Sequence, residues 1–251
     1  MGEEQSYNVE EMRGRLEGVQ QRMDAACQRA GRKPADITLV WVSKFHPYAA
    51  VESALALGAR VFGENRVQEA AEKFTNRSAE IQCHIIGPVQ SNKLKKAALV
   101  ADCIHSISSM EAVEKLEKVC AAENKTLDIL FQVNAGEEET KSGLDIAEAE
   151  IFLEGLTKHA PCPHLRFRGL MTIGKNTGVP EDSRICFAFL RELRDKFLAR
   201  SKELPAYEMF REFTELSMGM TDDMEVAIEE GATMIRIGTA LFGHRVYNNI
   251  V

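Results

Sequence analysis

Apolar positions along the chain follow two alternating periods. Val9, Met12, Leu16, Val19, Met23 and Ala30 recur at three- and four-residue spacing, and Gly31 with Pro34 supplies stop signals, so a leading amphipathic helix is predicted. ITLVWVSK (37–44) is a near-continuous apolar run, the pattern of a strand buried on both faces of a parallel sheet. Pro47 suits the first turn of a following helix, with Val51, Ala54 and Leu55 on one face and Gly58 ending it. Seven more strand segments follow: ARVFGE (59–64), CHIIG (83–87), CIHSIS (103–108), DILFQVN (128–134), LRFRGLMTI (165–173), FTELSM (213–218) and ATMIRIG (232–238). Helical patterns separate them, among them Ile185, Phe189, Leu193 and Phe197. Another is Met224, Ala227 and Ile228, behind an Asp222 cap with Glu225 three residues on.

Strands alternating with helices imply a parallel sheet, and eight such units predict an α/β fold, a single (β/α)8 barrel domain over 1–251. After the last strand little more than LFGHRVYNNIV remains, too little for a full packed helix, so the leading helix is expected to close the outer ring. GKNTGVPED (174–182) reads as the longest loop, and 203–211 as a second irregular stretch.

The chain has 251 residues and 45% hydrophobic content, enough for one large core. A net charge of −7 argues against a general nucleic-acid surface, so an anionic ligand needs a local positive site. The six cysteines form no C-x-x-C pair, which points to neither a zinc site nor a disulfide framework and fits a reducing cytoplasm. The polar, acidic N-terminus lacks the pattern of a signal peptide, and no stretch approaches a membrane span.

In such a barrel the C-terminal strand ends form the active face, with phosphate often at the loops after strands seven and eight. Those ends are Lys44, Glu64 with Asn65, His84, Ser106, Asn134, Met171, Ser217, and Gly238 with Thr239. The turns at Ser217–Met218–Gly219–Met220 and Arg236–Ile237–Gly238–Thr239 could receive an anion on backbone N–H groups and a hydroxyl. Lys44 ends a buried strand, where desolvation favours the neutral amine needed to add to a carbonyl, and the competing reading is a lysine snorkelling to solvent. Lys141 also follows a strand, in the polar, loop-like setting of ETKSG. His84 reads as a packing residue or an acid/base group, and Asn65 and Ser106 as turn caps or ligand contacts.

VSKFHP (42–47), FGENRVQE (62–69), HIIGPVQSNK (84–93), IHSISS (104–109), QVNAGEEETKSG (132–143), RGLMTIG (168–174) and ELSMGMTDDMEVAIEEGATMIRIGTALFG (215–243) span nearly the whole chain after the first helix. Together they resemble the pyridoxal 5'-phosphate (PLP) homeostasis proteins, related to the barrel domain of bacterial alanine racemases, a fold-type III arrangement. The resemblance implies a Schiff base between PLP and Lys44, and phosphate contacts at Ser217, Gly238 and Thr239. It places Arg236 opposite the pyridine nitrogen, and Asn65, His84, Ser106 and Met218 in the pocket wall.

A guanidinium only donates, so a ring nitrogen facing Arg236 stays an unprotonated acceptor and the cofactor a poor electron sink. The racemases also use a second β-domain that brings a catalytic tyrosine, whereas here the sequence stops eight residues after LFG, with Tyr247 in that tail. The expectation is a monomeric PLP carrier that exchanges cofactor with apo PLP-dependent enzymes and has no robust catalysis. The alternatives are a PLP-dependent amino-acid racemase and a Schiff-base aldolase.

Overall fold

The computed structural model describes residues 7–136 and 142–243. Eight strands, β1 (Thr38–Val42), β2 (Val61–Glu64), β3 (Gln82–Ile85), β4 (Cys103–Ile107), β5 (Leu127–Gln132), β6 (Leu165–Met171), β7 (Glu215–Ser217) and β8 (Met234–Ile237), form a closed barrel in sequence order. Every neighbouring pair is parallel, and the ring closes where Thr38 to Trp41 of β1 pair with Met234 to Ile237 of β8. Each predicted strand is present, one to three residues shorter than its apolar run, because the loops at the strand ends are also buried.

Outside the strands lie α1 (Val9–Ala30), α2 (Tyr48–Ala56), α3 (Val67–Phe74), α4 (Leu94–Val100), α5 (Met110–Ala122), α6 (Ile146–Leu156), α7 (Arg184–Glu203), α8 (Met224–Glu229) and α9 (Thr239–Phe242). The Asn8 side chain accepts from the Glu10 N–H to start α1, and Gly31 ends it at φ 64°, a conformation that favours glycine. The α1 face of Met12, Leu16, Val19, Met23 and Ala26 is buried against α2, α8 and α9. α9 has only four residues, and α1 fills the remaining arc of the outer ring, as the sequence suggested. Arg22 reinforces the contact with two hydrogen bonds to Glu225, at 2.6 and 2.8 Å, and one to the Thr221 carbonyl at 2.7 Å. No helix of the described residues is long and apolar enough to cross a membrane.

Two helix details differ from the sequence reading. The buried face of α7 is Cys186, Phe187, Leu190, Leu193 and Phe197, whereas Ile185 is 69% exposed. Apolar residues surround the first two turns of α7, so spacing alone could not choose between two stripes one residue apart. The Cys186 thiol, bonded to the Ala135 carbonyl, lies on the stripe that packs inward. At α8 the residue before the helix is Asp223, whose Oδ1 accepts from the Met220 N–H at 2.7 Å, and Asp222 is left at the surface.

Strand pairing also slips twice. On β4, His105 and Ser106 together face one residue of β5, and on β6, Arg168 is the extra residue between Phe167 and Gly169. The second bulge requires glycine: Gly169 has φ 156°, and a Cβ there would lie 1.9 Å from the Glu215 carbonyl oxygen. Gly169→Ala is therefore expected to cost about 3 kcal/mol or more, lowering the thermal midpoint by roughly 6 °C or more. Calorimetry of the variant beside wild type measures it, and an unchanged midpoint would show that the bulge relaxes freely.

Candidate functional site

The turn after β1 carries Lys44. Phe45, next in the chain, has φ 64°, an uncommon conformation for an aromatic residue that costs on the order of 1–3 kcal/mol. Five hydrogen bonds hold it there. The Ser43 hydroxyl donates to Glu64 Oε1 at 2.6 Å, and the Phe45 N–H donates to Glu69 Oε1 at 2.5 Å. Lys73 Nζ then donates to the Ser43 carbonyl, Glu64 and Glu69 at 2.8, 2.8 and 2.7 Å. Glu64 is fully buried, so desolvation pushes its carboxyl pKa up while Lys73 and Ser43 pull it back down. Glu64 thus lies behind the turn, not in the mouth, because its side chain points between β2 and α3.

A cavity of about 820 Å³ opens at the C-terminal ends of the strands. Lys44, Asn65, Arg236, Gly238 and Thr239 all line it, so five of the nine candidate residues share one wall. Gly87 lines it too, and a Cβ at Gly87 would lie 2.5 Å from the Asn65 carbonyl oxygen, so glycine lets these two loops meet. Gly238 and Thr239 open α9, whose first N–H groups have no intrahelical partner.

Arg236 is 5% exposed, and its guanidinium donates to Ser217 Oγ and to the Thr172 carbonyl, both at 2.8 Å. Burial lowers its pKa to about 10, which leaves it protonated at neutral pH. Ser217 Oγ lies 2.9 Å from His105 Nδ1, His105 Nε2 lies 2.9 Å from His84 Nδ1, and His84 Nε2 lies 3.3 Å from Gln82 Oε1. Gln82 Oε1 can only accept and both histidines are neutral, so one consistent direction follows. Arg236 donates to Ser217, Ser217 to His105, His105 to His84, and His84 to Gln82. Both histidines are neutral, because burial takes His84 to about 4 and His105 well below its usual value.

The remaining four candidates therefore lie off the cavity wall. His84 sits two residues below Ile86, which does line the mouth, and at ~3.3 Å per strand residue that places it well down the barrel. It lines instead a 400 Å³ cavity at the opposite, N-terminal end. Ser217 is one hydrogen bond behind Arg236. Ser106, in the β4 bulge, donates to the Gly87 carbonyl at 2.7 Å and so supports the wall from behind. Met218 is fully buried in the core.

Sequence reasoning missed Gln132, Thr221 and Asp222, all on the mouth cavity. β5 ends at Gln132, two residues before Asn134, and Gln132 Nε2 donates to the Ser142 carbonyl at the edge of the mouth. Local spacing makes Asp222 a helix cap, and the aspartate pair in MTDDM is the signal that marks a second role for it. Lys141 and Tyr247 lie outside the described residues.

Residues 15–246 match the family described as alanine racemase, N-terminal domain. The pyridoxal phosphate homeostasis protein of Aquifex aeolicus is 39% identical over 238 residues, covering 93% of this chain and 98% of that protein. The protein of the same name from Escherichia coli K12 is 37% identical, covering 93% and 96%. Among solved structures, PipY of Synechococcus elongatus with PLP bound superposes with a TM-score of 0.72 at 32% identity, covering 88% of this chain and all of that one. An alanine racemase of Clostridium difficile shares the fold at a TM-score of 0.66 and 14% identity, with 94% of this chain matched to 56% of the racemase. With most of its length matched in these ways, the chain belongs to the alanine racemase N-terminal-domain family and, within it, to the pyridoxal phosphate homeostasis proteins.

Proposed function

We propose that this protein binds PLP as a Schiff base on Lys44 and serves PLP homeostasis, buffering or delivering the cofactor as a cytoplasmic monomer without robust turnover of its own. The observation that carries this reading is one wall holding both Lys44, on a pinned turn, and Arg236, a buried guanidinium that stays protonated. The residues fit the cofactor's chemistry: an amine for its aldehyde, a donor for its ring nitrogen, and Gly238 with Thr239 for its phosphate. Ser217 then acts by holding Arg236, Ser106 by holding Gly87, and Asn65 by packing against that glycine.

When bound, PLP supplies a reversible covalent link to amines and an electron-withdrawing ring. Arg236 limits the second property, because a ring nitrogen that accepts from guanidinium is not protonated. Among the described residues no tyrosine lines the cavity to serve as an opposing acid/base. Both features favour storage and exchange over racemisation. The names of the relatives, pyridoxal phosphate homeostasis proteins, and the PLP in PipY support the same reading.

Lys44→Ala is expected to abolish the visible chromophore and the borohydride-fixed adduct while the far-UV circular dichroism stays unchanged. Peptide mapping of the reduced protein checks it, and an adduct on Lys141 would refute the assignment. Loaded protein incubated with single enantiomers of amino acids should release PLP to an apo-enzyme yet show no multiple turnovers. Chirality, keto-acid and CO2 assays decide, with Lys44-dependent turnover restoring the racemase.

The pinned turn gives a pH test. Lys73→Met leaves Glu64 and Glu69 without their cation and should destabilise the fold by about 3 kcal/mol at neutral pH and weaken PLP binding. Glu64 already has a raised pKa, so the folded state holds its proton more tightly than the unfolded state does, and the deficit should shrink as pH falls from 8 to 5. Urea unfolding of both proteins across that range measures the gap, and a gap that widens in acid would contradict the buried-carboxylate account.

A further inference from the structure

The barrel floor carries a second constellation that the cofactor site does not use. His84 of β3 pairs in register with Cys103 of β4, and His105 follows two residues further along β4. One ligand atom from each of the three side chains lies within 4.8 Å of the others, and all three residues are buried. We propose that His84, Cys103 and His105 form a metal site with the donor set of zinc(II), open at its fourth position to water from the N-terminal end of the barrel.

The nitrogen pair is close to the spacing that the ion requires. Tetrahedral ligands about 2.05 Å from zinc put two nitrogens roughly 3.3 Å apart, with a sulfur near 3.5 Å from each. His84 Nδ1 and His105 Nε2 now share a hydrogen bond at 2.9 Å, so the rings need part by only a few tenths of an ångström. Their outer nitrogens are already oriented, His105 by Ser217 Oγ and His84 by Gln82 Oε1, as the second shell of an imidazole ligand must be. The 400 Å³ floor cavity is lined by His84 and Cys103 themselves, with Asp102 and Asp128 beside them, and gives a path from solvent. Arg77 and Arg166 pair with those two aspartates, so the aspartates serve the approach and not the first shell.

Binding balances in protons. The Cys103 thiol, whose pKa burial raises, loses its proton to solvent as the zinc–sulfur bond forms. His84 Nδ1 already offers a lone pair, because its Nε2–H is directed at Gln82 Oε1. His105 must move its proton from Nε2 to Nδ1, so that it donates to Ser217, which then accepts from both His105 and Arg236. One proton leaves per zinc, and occupancy at the floor reverses a hydrogen bond beside the residue that holds Arg236.

The test uses the full chain, treated with chelator under reducing conditions, and cobalt(II) as the probe. One equivalent should produce a near-ultraviolet thiolate-to-cobalt band. Cys103→Ser should lose the band and bind zinc at least tenfold more weakly in competition, while Cys162→Ser, away from the cluster, should change neither. X-ray absorption of the wild-type zinc complex guards against a misfolded variant. One sulfur at about 2.3 Å with two nitrogens near 2.0 Å is expected. A shell of nitrogen and oxygen alone, no band at one equivalent, or a band that survives Cys103→Ser would overturn the site.

Discussion

A buried guanidinium can give hydrogen bonds and never take one, and Arg236 imposes that asymmetry on the barrel interior. Desolvation lowers its pKa without neutralising it at physiological pH. The Ser217 oxygen, the Thr172 carbonyl and whatever faces the remaining N–H groups in the mouth must therefore accept. A second fixed point lies at the floor, where Gln82 Oε1 can only accept: His84 donates to it, His105 donates to His84 and Ser217 to His105, both histidines being neutral. A cation at the mouth and an amide oxygen at the floor thus bracket one chain of buried polar groups that runs from the ligand cavity to the floor.

The lysine turn rests on the opposite principle, strain held by surrounding contacts. Phe45 would leave its positive-φ conformation if the backbone groups beside it were free to find other partners. Lys73 and Glu69 from α3 and Glu64 from β2 deny that freedom. A buried ion pair adds little to net stability by itself, but it is costly to break, which suits a part whose task is to fix one lysine relative to one arginine. The β1–β8 pairing that closes the barrel brings those two residues to one wall, because Arg236 is in register with Val40, four residues before Lys44.

The two ends of the barrel differ in what their side chains do. At the mouth, loops with glycine at Gly87 and Gly238 leave room for a ligand. At the floor, strand residues converge directly, so that His84, Cys103 and His105 come together through strand pairing alone. Their neighbours on the sequence give no sign of it. Two ligands are 19 residues apart and the third is two further on, a spacing that fits no short motif for zinc.

Hydrophobic period and turn residues alone determined the eight strands, the leading helix and its place in the outer ring, since burial on one or both faces is written locally in side-chain order. The same pattern singled out Lys44, a charge ending a buried strand. Only the tertiary structure decided which stripe of α7 faces inward, that Asp223 and not Asp222 turns toward α8, and that Glu64 retreats behind the lysine turn to meet Lys73. It also decided depth. Alternation along a strand says that His84 points inward, but not how far below the mouth it lies, because that height depends on the stagger of neighbouring strands and on bulges at His105–Ser106 and Arg168. Local sequence fixes the face a side chain takes, whereas its partners and its height along the barrel axis are set by residues brought near only when the ring closes.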